Sequence, residues 1–145
     1  MCNHFLIDFE ICIYIFESIK DLGRNHMELI NISAIKDFKH SKVIKKVPIM
    51  TEQLMSTVLF IAPNTKSPAH SHAQIDEIQF IIKGSGKITV GKKSKSVKEG
   101  TLILVAKTEK HFFSTSKGRM IVLSVGIVTK HEEDIYTIKS IKKGD

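Results

Sequence analysis

The sequence predicts an all-β domain, and three observations carry that expectation. From residue 54 onward, short apolar runs rich in Ile, Val, Leu and Phe alternate with turn-forming residues at intervals of about 8 to 12 residues. No helix-period pattern interrupts them. The chain has 145 residues, 42% hydrophobic and 26% charged, the size and balance of one compact domain able to bury a core. A β-sandwich or barrel satisfies all three.

The elements follow in chain order. Residues 5–16 are strongly apolar yet carry Asp8 and Glu10, and they are too short to cross a bilayer as a helix. They lack the basic start and small-residue cleavage site of a secretory signal. Purine-rich codons for Gly23-Arg24 would resemble a ribosome-binding site, so the native start is expected at Met27, with 1–26 an extension upstream of it. Residues 27–50 are expected to form a short helix or strand packed outside a barrel that spans 51–138. Within it, a strand over 54–61 is stopped by Pro63. Strands over 77–83 and 87–90 flank Gly84-Ser85-Gly86, expected as a hairpin loop. Gly91-Lys92-Lys93 gives a second polar turn, and strands over 101–105, 110–115 and 119–125 complete the series, with Lys117-Gly118 turning between the last two. Residues 139–145 read as a solvated tail.

Charge and cysteine usage narrow the function classes. The net charge is +7, but twenty of the 22 basic residues are Lys spread along the chain. No recognition helix, aromatic stacking pair or Arg fork accompanies them, so a solvated surface is expected rather than a nucleic-acid interface. No membrane association is expected either. Both cysteines, Cys2 and Cys12, lie in the extension, leaving the domain without disulfides or thiolate ligands, as suits a reducing cytoplasm.

The chemistry concentrates in His70-Ser71-His72, with Glu77 beyond it and His111 far along the chain. Alternate residues of a strand share a face, so His70 and His72 can offer two imidazoles to one ion. A pair of this kind standing alone is more often surface decoration. With Glu77 and His111 it becomes a three-imidazole, one-carboxylate set that leaves positions open for water or substrate.

The punctuation around these residues resembles the two motifs of the cupin superfamily. Asn64-x5-His70-x-His72-x4-Glu77-x6-Gly84 follows the first, with Asn64 in place of its leading Gly, and Gly100-x5-Ala106-x-Thr108-x2-His111-x3-Thr115 follows the second. In the second, Ala106, Thr108 and Thr115 stand where the family has Pro, Gly and Asn. The resemblance covers roughly residues 54–127. It implies a double-stranded β-helix, or jelly-roll barrel, holding one divalent transition metal on His70, His72, Glu77 and His111. Iron, manganese, nickel, cobalt, copper and zinc all accept such donors. It further implies a small-molecule ligand and a homodimer.

Strand periodicity then names the pocket: Gln79 and Ile81 beyond Glu77, Phe113 beyond His111, and Met55, Thr57 and Leu59 from the first strand. Most of these fill the barrel, and Gln79 is the clearest polar handle. Asp76 falls on the opposite face from Glu77. No catalytic acid or base stands out, and a phosphate cradle or a helix-turn-helix is not evident. The expected function is a metal-dependent enzyme on an unassigned small molecule, dioxygenase-like or isomerase-like. The alternative is a non-catalytic metal and small-molecule binding module or sensor.

Overall fold

A computed structural model describes residues 27–40 and 42–127, which contain seven strands and no helix. The strands are β1 (Val43–Lys46), β2 (Leu54–Ile61), β3 (Glu77–Val90), β4 (Lys93–Lys98), β5 (Leu102–Val105), β6 (His111–Ser114) and β7 (Met120–Ile127). All pairings are antiparallel. One sheet runs β1-β2-β7-β3, with β5 on the first half of β3; the second half of β3 lies between β4 and β6. β3 therefore belongs to both layers and joins them. The extension 1–26, the tail 139–145 and the end of the expected barrel beyond residue 127 lie outside the described residues.

The expected hairpin at Gly84-Ser85-Gly86 is corrected. Those residues lie inside β3, a single 14-residue strand. Gly84 has φ +85°, and the register to β7 shifts between Ile81 and Lys83, so the glycine bends the strand from one sheet into the other. A Cβ on Gly84 would run into the Arg119 carbonyl oxygen. β4, Lys-Ser-Lys-Ser-Val-Lys, buries only Val97 and escaped notice as a solvated run; it is a lysine-rich edge strand.

Side-chain alternation sorts the apolar residues into two cores. Ile61, Ile81, Ile88, Val97, Val105, Phe113, Met120 and Val122 fill the space between the sheets, with Val43, Leu59, Val90 and Ile103 packed against them. Each such side chain, fully buried, stabilises by about 1.5–3 kcal/mol. On the outer face, Ile44, Val58, Phe60 and Ile121 lie under Ile32, Ile35 and Phe38. Phe38 meets Phe60 edge-on at 5.5 Å, and the Arg119 guanidinium sits 4.9 Å above the Phe38 ring.

Register layers the inward faces into rungs. Met55, Gly126 and Glu77 share one; Thr57, Ser124 and Gln79 share the next; Leu59, Val122 and Ile81 share the third. The barrel interior is thus polar at one end and apolar at the other.

Candidate metal centre

The site is built where two connecting segments are laced together. His70 and His111 form an isolated antiparallel bridge, with His111 N–H donating to the His70 carbonyl at 2.8 Å and His70 N–H donating back at 3.1 Å. Upstream, Thr115 Oγ1 donates to the Ala62 carbonyl at 2.6 Å and accepts from Thr65 N–H at 3.1 Å, while Ser67 Oγ accepts from Phe113 N–H at 2.8 Å. Thr115, standing in for the motif's Asn, holds the loop with its hydroxyl. Asn64 adopts φ +51°, the left-handed turn that suits Asn in place of Gly. Thr108 does the same at φ +69°, an uncommon conformation for a β-branched residue, and its N–H donates to the His72 carbonyl at 2.6 Å. Asp76, facing away from the cluster, accepts from Lys107 N–H at 2.8 Å and so ties the same two loops together.

The four expected side chains converge: one donor atom from each of His70, His72, Glu77 and His111 lies within 4.8 Å of all the others. Glu77 Oε2 is 3.1 Å from His111 Nε2 and 3.5 Å from His72 Nε2. Donors around one ion at about 2.0–2.2 Å stand at separations of this order, so the cluster is compatible with a single metal ion. His111 Nε2 is buried and makes no aligned hydrogen bond despite the nearby carboxylate. The rings are oriented from behind. His111 Nδ1 faces the Glu109 carbonyl at 2.9 Å and His70 Nδ1 the Pro68 carbonyl at 3.2 Å. A carbonyl only accepts, so each Nδ1 carries the proton and each Nε2 is left for an ion.

Charge is arranged to match. Burial alone would raise the Glu77 pKa, but the His111 imidazole 3.1 Å away, the Ser124 hydroxyl and the His72 imidazole outweigh it and hold the carboxyl at about 2. Burial and repulsion from His111 and His72 push His70 down to about 4, against the Pro68 carbonyl and Glu77. Burial also works against a charged His111, yet Glu77 and the Glu109 carbonyl prevail and raise it above the ordinary imidazole value. Any ion must displace the His111 proton, so its apparent affinity should rise with pH until the raised His111 pKa is passed and level off above it. Calorimetry in buffers of different ionisation enthalpy should find proton release on ion binding that fades as pH rises past the raised His111 pKa. A pH-independent affinity would show that His111 enters already neutral.

Of the expected pocket residues, Gln79 is 2% exposed and donates through Nε2 to Glu77 Oε2 at 3.3 Å; its Oε1 is buried without a hydrogen-bond partner. Thr57 is buried on the adjacent rung and Met55 half-buried beside Glu77's. Phe113 and Ile81 belong to the apolar core. Two polar residues escaped sequence reasoning. Ser124 donates to Glu77 Oε1, and its signal was a lone hydroxyl on the inward face of an apolar strand. Lys45, hidden among surface lysines, is desolvated by burial, which lowers its pKa against the pull of Glu77.

Comparison with known proteins follows the same architecture. The cupin domain family matches residues 57–126. No curated protein matches the chain in sequence. Among solved structures the chain is similar to TT1209 from Thermus thermophilus, with TM-score 0.65 and 17% identity over 70% of this chain and 97% of the other. It is similar to a conserved protein with a double-stranded β-helix domain from Klebsiella pneumoniae, with TM-score 0.66 and 16% identity over 70% and 90%. A predicted oxalate decarboxylase from Thermotoga maritima aligns with TM-score 0.55 and 18% identity over 60% and 81%. These identities speak for the fold. Residues 57–126 thus match a cupin domain, and the antiparallel two-layer barrel has the double-stranded β-helix fold of these structures.

Proposed function

We propose that His70, His72, Glu77 and His111 hold one divalent transition metal and that the protein is a metal-dependent enzyme acting on a small molecule. The observation that carries this reading is the convergence of two imidazole Nε2 atoms on a single buried oxygen of Glu77. When bound, the metal supplies a Lewis-acid or redox centre with open positions for oxygen ligands. Glu77, held ionised by its neighbours, serves as ligand rather than base. Gln79 and Ser124 fix its two oxygens, and the apolar rungs beyond exclude water from the interior. Reaction types of the dioxygenase or isomerase kind fit a pocket with few protein acids. Decarboxylation belongs to the same range, since a predicted oxalate decarboxylase shares the fold.

Among the described residues no helix is long and apolar enough to cross a membrane. The same reading takes the protein as a cytoplasmic homodimer. The dimer is supported by exposed apolar side chains on one outer sheet face, Ile78 at 53%, Leu102 at 69% and Leu104 at 70% exposure. A binding module or sensor is the second reading, favoured by the same scarcity of acids and bases near the cluster.

Elemental mass spectrometry on untagged protein purified anaerobically tests the first reading, with oxygen uptake followed on candidate substrates. Near-stoichiometric iron or manganese is the expected result. Trace, adventitious metal would move the protein to a metal-free binding role.

A further inference from the structure

We propose that Lys45 binds a carboxylate of the substrate, so that the site takes a small carboxylate that also offers an oxygen to the metal; this rests on the metal-centre reading above. Strand alternation turns the half-buried Lys45 toward the barrel's inner face. On β1, Ile44 belongs to the outer core and Lys46 Nζ pairs with Asp37 at 3.5 Å on that outer side. Val43, two residues before Lys45, packs against the inner core. Lys45 lies opposite Leu59, on the apolar rung of Leu59, Val122 and Ile81. On β2, β7 and β3, the rung between that one and Glu77's is Thr57, Ser124 and Gln79.

An inward lysine in this setting lacks what its neighbour has. Lys46 finds a carboxylate, whereas no described carboxylate lies within ion-pair distance of Lys45. Glu77 is engaged by His72, His111, Ser124 and Gln79, and its charge reaches Lys45 only from a distance. Even partial desolvation of an ammonium with no carboxylate in reach is costly, and an anion entering the barrel supplies the missing charge. A carboxylate forms a short, charge-assisted bond with one ammonium. Phosphate fits less well, because it favours several cationic donors and the register places no second Lys or Arg on the rung of Lys45, Leu59, Val122 and Ile81. Gln79 Oε1, buried and without a partner, adds an acceptor for a donor group on the same ligand.

The test uses the full-length chain loaded with Co(II), whose visible spectrum reports ligands entering the site. Oxalate is the anionic chelating probe, inorganic phosphate the competing anion and imidazole the neutral control. Wild type, Lys45→Met and Lys45→Arg are compared, with Lys45→Gln replacing the Met variant if that does not fold. The uncharged variant should keep one cobalt per chain and wild-type imidazole affinity while losing about ten- to a hundredfold in oxalate affinity. The Arg variant should regain part of it. Equal oxalate affinity in wild type and a cobalt-loaded Lys45→Met overturns the role of Lys45 alone. Tighter phosphate than oxalate binding overturns the carboxylate assignment. Failure of the wild type to hold stoichiometric cobalt overturns the metal reading and this inference with it.

Discussion

Replacing His111 with Ala should leave the protein with less than stoichiometric metal after gel filtration and lower its metal affinity by at least about a hundredfold. Losing a group that merely orients a ligand already costs about 10–100-fold, and His111 is a proposed ligand whose Nε2 is 3.1 Å from the carboxylate that anchors the cluster. The backbone bridge between residues 70 and 111 uses main-chain atoms and survives the change. His70, His72 and Glu77 therefore stay in position, and the loss reports the missing imidazole. The metal-free variant should lose about 3 kcal/mol of stability, because a side chain 1% exposed is deleted and the buried Glu77 carboxylate loses a partner. His111→Gln preserves volume and separates the two effects: it should recover much of the stability and little of the metal. Undiminished metal in His111→Ala would mean that the ion, if any, is held elsewhere.

The parts of this site that were legible in the sequence are those set by local geometry. His70 and His72 stand two residues apart, a spacing that suggests a shared face, whereas Glu77, an odd number of residues from both, joined them through the motif. His111 became legible through a motif. Ser124 and Lys45 did not, because their roles depend on which residues of other strands lie opposite them. Ser124 reaches Glu77 across a separation of 47 residues, and only the β3–β7 register, which sets Gln79 against Ser124, brings them together. Lys45 has the composition of a solvated lysine; its inward placement follows from β1 pairing with β2 at Leu59.

The misread segment has a similar cause. Gly-Ser-Gly reads as a hairpin loop because loops and strand bends both need residues that tolerate left-handed backbone and close approach. What decides between them here is the carbonyl of Arg119, 35 residues away in sequence, which no local pattern reveals. β4 was illegible for the opposite reason. A strand that buries one residue in six has almost no apolar signal, and its existence depends on pairing with β3.

Gly84→Ala tests that explanation of the bend and should be far more damaging than one added methyl suggests. Gly84 and Gly100 both have φ +85°, so Ala at either pays the same left-handed backbone cost, about 1–2 kcal/mol. At Gly100 a Cβ meets nothing within 4 Å, whereas at Gly84 it collides with backbone, the Arg119 carbonyl and the Met120 Cα. Backbone cannot rotate aside as a flexible side chain can, so β3 and β7 must separate where Gly84 pairs with Met120. Forced overpacking of this kind adds about 1–3 kcal/mol. Gly84→Ala should therefore melt on the order of 10 °C lower than wild type, and Gly100→Ala only a few degrees lower. Equal shifts would show that the close approach is not limiting. The bend also sets where the first half of β3 enters the sheet, and Glu77 is the first residue of that strand. Folded Gly84→Ala protein should accordingly bind metal more weakly than Gly100→Ala, although neither substitution touches the cluster.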